Sequence, residues 1–535
     1  MKSEEEIIAE LEEQDAELRT GNGKDRELPE IHVEPGELPR MAEEGEQALF
    51  DAGRAIYRRD MALVRPTVEE VDAADGRKTK VARLVELTGP YLRGELCKVA
   101  HWKRYNVRQQ DWTPTSPPDH VVQLILARYG DWKLHAVSGV ITTPTLRPDG
   151  SLLTAEGYDP ATGLYLMSPP KLSLPSSPSK QDAQVALKLL DALFDEFPFV
   201  DKPSRSVALS ALLTTVARGA FPVAPMHAAS SPMAGSGKSY LWDTVAVVAS
   251  GQLCPVMTAG PSPEETEKRL GSALMRGQAL ISIDNVNGEL KGDALCQCIE
   301  RPRIQIRILG KSHLVDIDKR GTTVLATGNN LTLTGDVVRR TLRCLLDPEI
   351  ERPEERQFEG NPVEKVMSDR AKYIAAALTI VQAYIRAGRP SPAPKLASFE
   401  TWSNIVRSPL IWLGRDDPVK TIDRSRQDDP KLILLRQVLG AWNETLGLGR
   451  AKRYKASDIT KMIELPEGGG ECQHPALRAP VTEAASYRGR VNARSLSHWL
   501  NRNKGIVANG LKLAGEDDDR GYKWWWVDRV GAELG

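Results

Sequence analysis

The stretch that most constrains this chain is Ala234-Gly235-Ser236-Gly237-Lys238-Ser239-Tyr240-Leu241. Its glycines let backbone N–H groups turn inward around an anion with no Cβ in the way. Lys238 adds a point charge for phosphate, and the Ser239 hydroxyl has the size and hardness to ligate Mg²⁺. The helix expected over Tyr240–Ala249 aims its positive N-terminal end at the same place. The pattern predicts a strand–loop–helix unit that holds a nucleotide through Gly235, Ser236, Gly237, Lys238, Ser239 and Tyr240. It departs from the full motif at Pro232, where a glycine is asked for. A chance Gly-Ser-Gly loop is the competing reading, and the segments downstream weigh against it.

A chain of 535 residues has room for two to four domains and a large core. A formal net charge of −1 excludes a general attraction to nucleic acid, so any such binding must come from local patches. The six cysteines form no pair of Cys-x-x-Cys motifs. Cys472 and His474 lack a second pair of ligands, so no zinc site is expected and the thiols suit a reducing cytosol. No apolar run follows Met1–Glu6, and no apolar stretch is long enough to span a bilayer. The expectation is a cytoplasmic protein with no membrane partner.

Residues 1–45 are strongly acidic and read as a solvated, disordered tail, or as an acidic arm competing with DNA for a basic groove. Residues 46–167 read as an α/β domain, with helices over Ala48–Arg59 and Val121–Tyr129. A turn at Leu146–Gly150 and a strand at Leu164–Leu166 follow. Asp111, Asp119, Asp131 and Asp149 are too scattered to hold two metals, so no catalysis is assigned to this domain. Residues 168–180, rich in Pro and Ser, are a linker. Helices over Asp182–Phe197 and Ser204–Arg218 precede the phosphate loop.

From Met226 the pattern alternates strictly. Strands are predicted at Met226–Ser231, Gln252–Thr258, Ala279–Asp284 and Thr322–Thr327, with helices between them. Ser262, Pro263 and Glu265 mark a capped helix start. Apolar strands with functional residues at their C-terminal ends are the logic of a three-layer α/β sheet. Asp284 lies about 45 residues after Lys238 at such a strand end, where a second Mg²⁺-holding carboxylate is needed. Asn329 and Asn330 end the next strand, where an amide can orient water and touch a γ-phosphate, with Asn330 slightly favoured as the catalytic one. Arg339 and Arg340 stand just before the strand Thr341–Leu346. An arginine there is placed to reach a neighbouring subunit's nucleotide, a solvated basic pair being the alternative.

In this order and spacing, phosphate loop, carboxylate strand, asparagine strand and arginine pair resemble an AAA+ ATPase. More narrowly, residues 180–415 resemble superfamily III helicases and helicase-like proteins of phages and integrated elements. The resemblance implies ATP and Mg²⁺ as ligands and a ring of subunits, most simply a hexamer. It also implies a β-hairpin, here Ile304–Ile317, whose tip holds single-stranded DNA in a central channel. Lys311 and His313 are then the DNA contacts at the tip, with Lys319 and Arg320 near the base, and an ordinary surface hairpin is the competing reading. Where many AAA+ proteins place a glutamate beside the strand-end aspartate, this chain has Asn285, which can position water but cannot take its proton. Another carboxylate such as Glu265 helps, or Asp284 with Asn330 suffices, or turnover is slow.

Residues 181–415 therefore form the expected ATPase domain with a helical extension, in which Arg407 is a weak candidate nucleotide sensor. Residues 416–535 read as a C-terminal winged-helix-like domain. Its three helices cover Leu432–Leu446, Ala456–Ile463 and Asn492–Lys504, and strands flank an acidic tip at Glu516–Arg520. The third helix is the groove-entering one, with Arg494 and Arg502 outward. Trp524, Trp525 and Trp526 either stack bases or fill the small core by alternation. The expected function is an ATP-dependent DNA helicase or translocase in replication of a phage or integrated mobile element. The alternatives are an initiator or loader that remodels DNA or a partner helicase, and a nucleotide-gated DNA-binding regulator.

Overall fold

The structure, a computed structural model, describes residues 28–260, 262–307, 314–465, 472–487, 490–519 and 521–530. Folded chain begins earlier than the acidic composition implies. Strand β1 (Glu30–Val33) lies inside the segment expected to be tail, and helix α1 (Leu38–Asp51) begins there. Ile31, Val33, Met41, Ala42 and Leu49 are buried, while most of the acidic side chains face out. One acid, Glu46, is buried, and accepts from Arg128 Nη1 at 2.8 Å and the Lys133 N–H at 2.5 Å. Local composition masked a strand whose partner comes much later in the chain.

A meander follows, β2 (Tyr57–Arg59), β3 (Ala62–Asp72) and β4 (Lys78–Glu86). Then come α2 (Gly89–Val99), β5 (His101–Asn106), β6 (Asp111–Pro114) and α3 (Asp119–Ala127). β1 runs parallel to β5, and β6 antiparallel to it, as a three-stranded sheet. The inner face of this sheet buries Ile31, Val33 and Trp102 against α1, α2 and α3. The helix expected through Arg59 stops at Asp51, because Tyr57 to Arg59 pair with β3 instead.

The meander and the segment after it are seated on the next domain. Buried Arg59 donates to the carbonyls of Leu274 (2.7 Å) and Met275 (2.9 Å). The Leu84 N–H reaches Arg276 O at 2.8 Å, and Val140 N–H reaches Gly277 O at 2.9 Å. Gly277 sits at φ +59, and a Cβ there would lie 2.8 Å from the Leu84 side chain, so the close approach needs glycine.

The central domain opens with α4 (Lys180–Asp191), closed by a Ser179–Asp182 capping box, and α5 (Lys202–Val216). Next come β7 (Met226–Ser231), α6 (Lys238–Ser250), β8 (Val256–Thr258), α7 (Pro263–Met275), β9 (Leu280–Leu290) and α8 (Asp293–Glu300). β10 (Arg303–Arg307) and β11 (Leu314–Asp318) pair antiparallel. β12 (Thr323–Leu333), β13 (Thr341–Leu345) and α9 (Arg370–Arg386) complete the domain. The main sheet is all parallel, in the order β8-β9-β12-β7-β13. All six residues of β7 are buried, as a central parallel strand covered on both sides requires.

β9 and β12 run on past Asp284 and Asn330, as far as Leu290 and Leu333. Their register shifts between Ile283 and Val286, and again between Asn287 and Glu289. A polar, asparagine-rich run reads as loop in sequence, but bulges keep it paired here. The domain also runs past residue 415. Ile422 belongs to its core, and Arg424 reaches Asp201 at 2.5 Å. Arg407 is buried and pairs with Asp417 at 2.5 Å, so it serves packing rather than sensing a nucleotide.

The C-terminal unit has its own core from Leu435 to Val527. Among the described residues it holds four helices rather than three: α10 (Pro430–Thr445), α11 (Ala456–Met462), α12 (Pro475–Ala485) and α13 (Ala493–Asn503). α12 carries Pro475 at its start and Pro480 inside, which hid it from a reading that treats proline as a break. Short strands β14 (Tyr454–Lys455) and β15 (Val507–Ala508) flank the hairpin of β16 (Leu511–Asp517) and β17 (Lys523–Arg529). Trp525 is fully buried while Trp524 and Trp526 turn to the other face, as strand alternation demands.

Candidate nucleotide site

The chain leaves β7 at Ser231, turns through residues 232–237 and enters α6 at Lys238. Gly235 (φ +71) and Gly237 (φ +90) take the left-handed backbone that the turn requires. A Cβ on Gly235 would stand 3.2 Å from the Glu354 backbone nitrogen, so the segment around Glu354 closes against the loop. Sequence reasoning had no signal for that contact. The Trp242 indole N–H, on the first turns of α6, bonds Ala326 O at 2.8 Å and fixes the helix to β12.

Lys238 folds back over its own loop. Its ammonium donates to Met233 O at 2.9 Å and Ser236 Oγ at 3.0 Å. Burial pushes its pKa below the ordinary lysine value, with the Asp284 charge opposing the shift. Ser239 Oγ stands 3.3 Å from Asp284 Oδ1, so the two expected Mg²⁺ ligands meet at one point. A hydroxyl and a carboxylate side by side are the hard oxygen donors that Mg²⁺ takes, and they fit that ion.

Asp284 is held by a residue the sequence reading passed over. Thr327 Oγ1 donates to Asp284 Oδ1 at 2.5 Å and accepts from the Asn285 N–H at 2.9 Å. Thr327 lies on β12 and looks in sequence like any β-branched strand residue. Asn330, at φ +47, sends Nδ2 to Pro232 O at 3.4 Å and so faces the loop. Asn329 Oδ1 is buried with no hydrogen-bond partner among the described residues. Asn285, at φ +52, is exposed. The carboxylate of Glu265 pairs with Lys268 and Arg269 of its own helix.

Beside the loop lies a pocket lined by Phe197, Ser236, Gly237, Tyr240, Phe358 and Pro362. The Phe197 and Tyr240 rings are 6.1 Å apart and 25° from parallel. The two rings face each other beside the loop, and the Tyr240 hydroxyl donates to Asn361 Oδ1.

The arginine pair is elsewhere. Arg340 is buried, bonding Glu300 through Nε at 2.7 Å and Asp336 O at 2.7 Å. Arg339 pairs with Asp336 at 3.0 Å. Among the described residues neither arginine touches the loop, Asp284 or Asn330 of its own chain.

The hairpin strands pair as expected, with Ile304, Ile306, Val315 and Ile317 inward. Its turn, with Lys311 and His313, lies outside the described residues. The expectation for Lys319 is corrected. Its side chain is buried, with Nζ on Ile299 O at 3.2 Å and its pKa pushed down to about 7 by burial. It presents no cation to phosphate. Arg320 is half-buried, its guanidinium turned to Ala161 O at 3.5 Å. Arg494 and Arg502 are exposed on α13.

No family model matches the chain, and no curated protein matches it. Among solved structures it is similar to the A form apo structure of the NrS-1 C-terminal region, at 9% identity and a TM-score of 0.34, covering 91% of this chain and 99% of that one. A second, of residues 305–718 of the same region, matches at 11% identity and a TM-score of 0.35, covering 87% and 96%. No helix among the described residues is long and apolar enough to cross a membrane.

Proposed function

We propose that the chain is an AAA+ ATPase of the superfamily III helicase type, binding ATP with Mg²⁺ and moving DNA during replication of a phage or mobile element. The observation that carries this is the meeting of Ser239 Oγ and Asp284 Oδ1 at 3.3 Å beneath a glycine loop, in a parallel sheet with the loop strand fourth of five. Lys238 leaves two neutral acceptors for the phosphates, and Thr327 aims the Asp284 carboxylate. Bound Mg²⁺ would neutralise charge on the transferring phosphoryl group. Asn330 positions water. Arg340, supplied to a neighbouring subunit, completes the site in a ring, with a hexamer as the expected assembly. The C-terminal unit is read as a winged helix, with α13 toward DNA.

The test is ATP turnover with and without single-stranded DNA, alongside the mass of the assembly. DNA-stimulated turnover by an oligomer that displaces a paired strand supports the reading. No nucleotide binding at all refutes it. Asn285 favours a second reading, a nucleotide-gated DNA-binding regulator, because an amide takes no proton from water. Sequence-specific duplex binding with negligible turnover is the result expected from that regulator.

A further inference from the structure

The outer face of the β1–β5–β6 sheet carries a ring cluster that the ATPase reading does not use. Register puts His32, Lys103, Tyr105 and Trp112 on that face, opposite the buried Ile31, Val33 and Trp102. The His32 and Trp112 rings stack at 3.8 Å and 10°, and Tyr105 meets Trp112 edge-on at 5.6 Å. Tyr105 is 47% exposed. Large aromatic side chains normally go to cores, and three on the solvent side of one small sheet form a surface suited to another flat ring.

Glu30 shares this face, and its charge is met by Lys103. From Leu96 to Gln110 there is no Asp or Glu. Arg104 pairs in register with Val33 and Thr113 and so belongs to the opposite face. Arg108, exposed in the turn at the hairpin end of the sheet, has no carboxylate partner among the described residues and leaves a free guanidinium group at the end that carries the rings.

We propose that this sheet face binds single-stranded nucleic acid, with bases on Tyr105 and Trp112 and the backbone phosphate on Arg108. Stacking tolerates any base but needs it unpaired, and guanidinium supplies the sequence-independent grip on the backbone. A duplex keeps its base faces covered and engages only the arginine. The site stands apart from the nucleotide loop and does not depend on the ATPase reading.

The experiment uses the full chain without nucleotide and a labelled deoxythymidine oligomer of about 20 residues, enough to span one aromatic platform. Photocrosslinking from iodouracil bases is expected to mark the peptide containing Tyr105 and Trp112. Tyr105→Ala is expected to cut that crosslink about tenfold and Tyr105→Trp to restore it, with unchanged thermal unfolding. The change Arg108→Ala is expected to flatten the log–log salt dependence of binding by about 0.7, the share of one phosphate contact on a single strand. Lys238→Ala is expected to leave the crosslink in place, which separates this site from the motor. Crosslinks confined to other segments overturn the proposal, as does equal crosslinking by the duplex. Occupation of the face by the chain's own acidic residues 4–17 at every salt concentration also overturns it.

Discussion

Two cations of the central domain are held in opposite ways. Lys238 rests on two neutral acceptors, a carbonyl and a hydroxyl. Arg340 rests on two acids, Glu300 and Asp336. An incoming polyphosphate outbids neutral acceptors easily, because a charged partner makes the stronger hydrogen bond. Releasing Arg340 means breaking a charge pair that is nine-tenths or more buried on the arginine side, so only a strongly anionic partner can draw it out. On the function proposed above, the lysine serves a ligand of its own chain, and the arginine stays latched until a partner of comparable charge arrives.

Four changes break or sharpen that contrast. Arg340→Ala should lower ATP turnover by the assembled protein by ~10³-fold or more while leaving nucleotide affinity intact. Turnover assays across protein concentration check this, and full activity in a monomer contradicts the trans role. Lys238→Ala should cost ~10²–10³-fold in turnover and weaken nucleotide binding as well, measured by calorimetry beside the assay. Thr327→Val removes the hydroxyl that aims Asp284 and should raise the Mg²⁺ concentration needed for half-maximal turnover about tenfold. A Mg²⁺ titration of that variant decides it. The smallest effect is on pH. Burial lowers the Lys238 pKa in the free protein, so its charge is lost at a lower pH than the 10.5 of an ordinary lysine. Nucleotide affinity should therefore fall as pH rises, beginning below 10.5, and the fall should be absent in Lys238→Arg.

The parts of the fold that were legible in sequence are those whose cause is local. The glycine loop, the apolar strands after it and the alternation around Trp525 each follow from neighbours a few positions away. The β1–β5 pairing was not legible, because nothing near Glu30 announces a partner at His101. β9 and β12 looked shorter than they are, since Asn285, Asn287, Asn329 and Asn330 favour turns unless bulges hold them in register. In the candidate site, residue types singled out Lys238, Ser239 and Asp284, and the fold places Ser239 beside Asp284. Thr327 and the Glu354 segment act through geometry, and a threonine on a strand carries no mark of its role. Lys319 shows the reverse error: a lysine at a hairpin base looks solvated until its surroundings are known.

The N-terminal meander grips the helix behind the phosphate loop. Arg77 reaches the fully buried Asp243 of α6 at 2.6 Å, and the same carboxylate takes the Cys254 N–H at 2.9 Å. Removing one member of such a pair costs about 3–5 kcal/mol, since a carboxylate is left stranded away from water. With Arg59 clamped on the end of α7, the meander has two rigid struts into the domain that carries the loop. A tilt of α6 is thus passed to the β3–β4 hairpin as leverage, through bonded groups rather than through a slack tether.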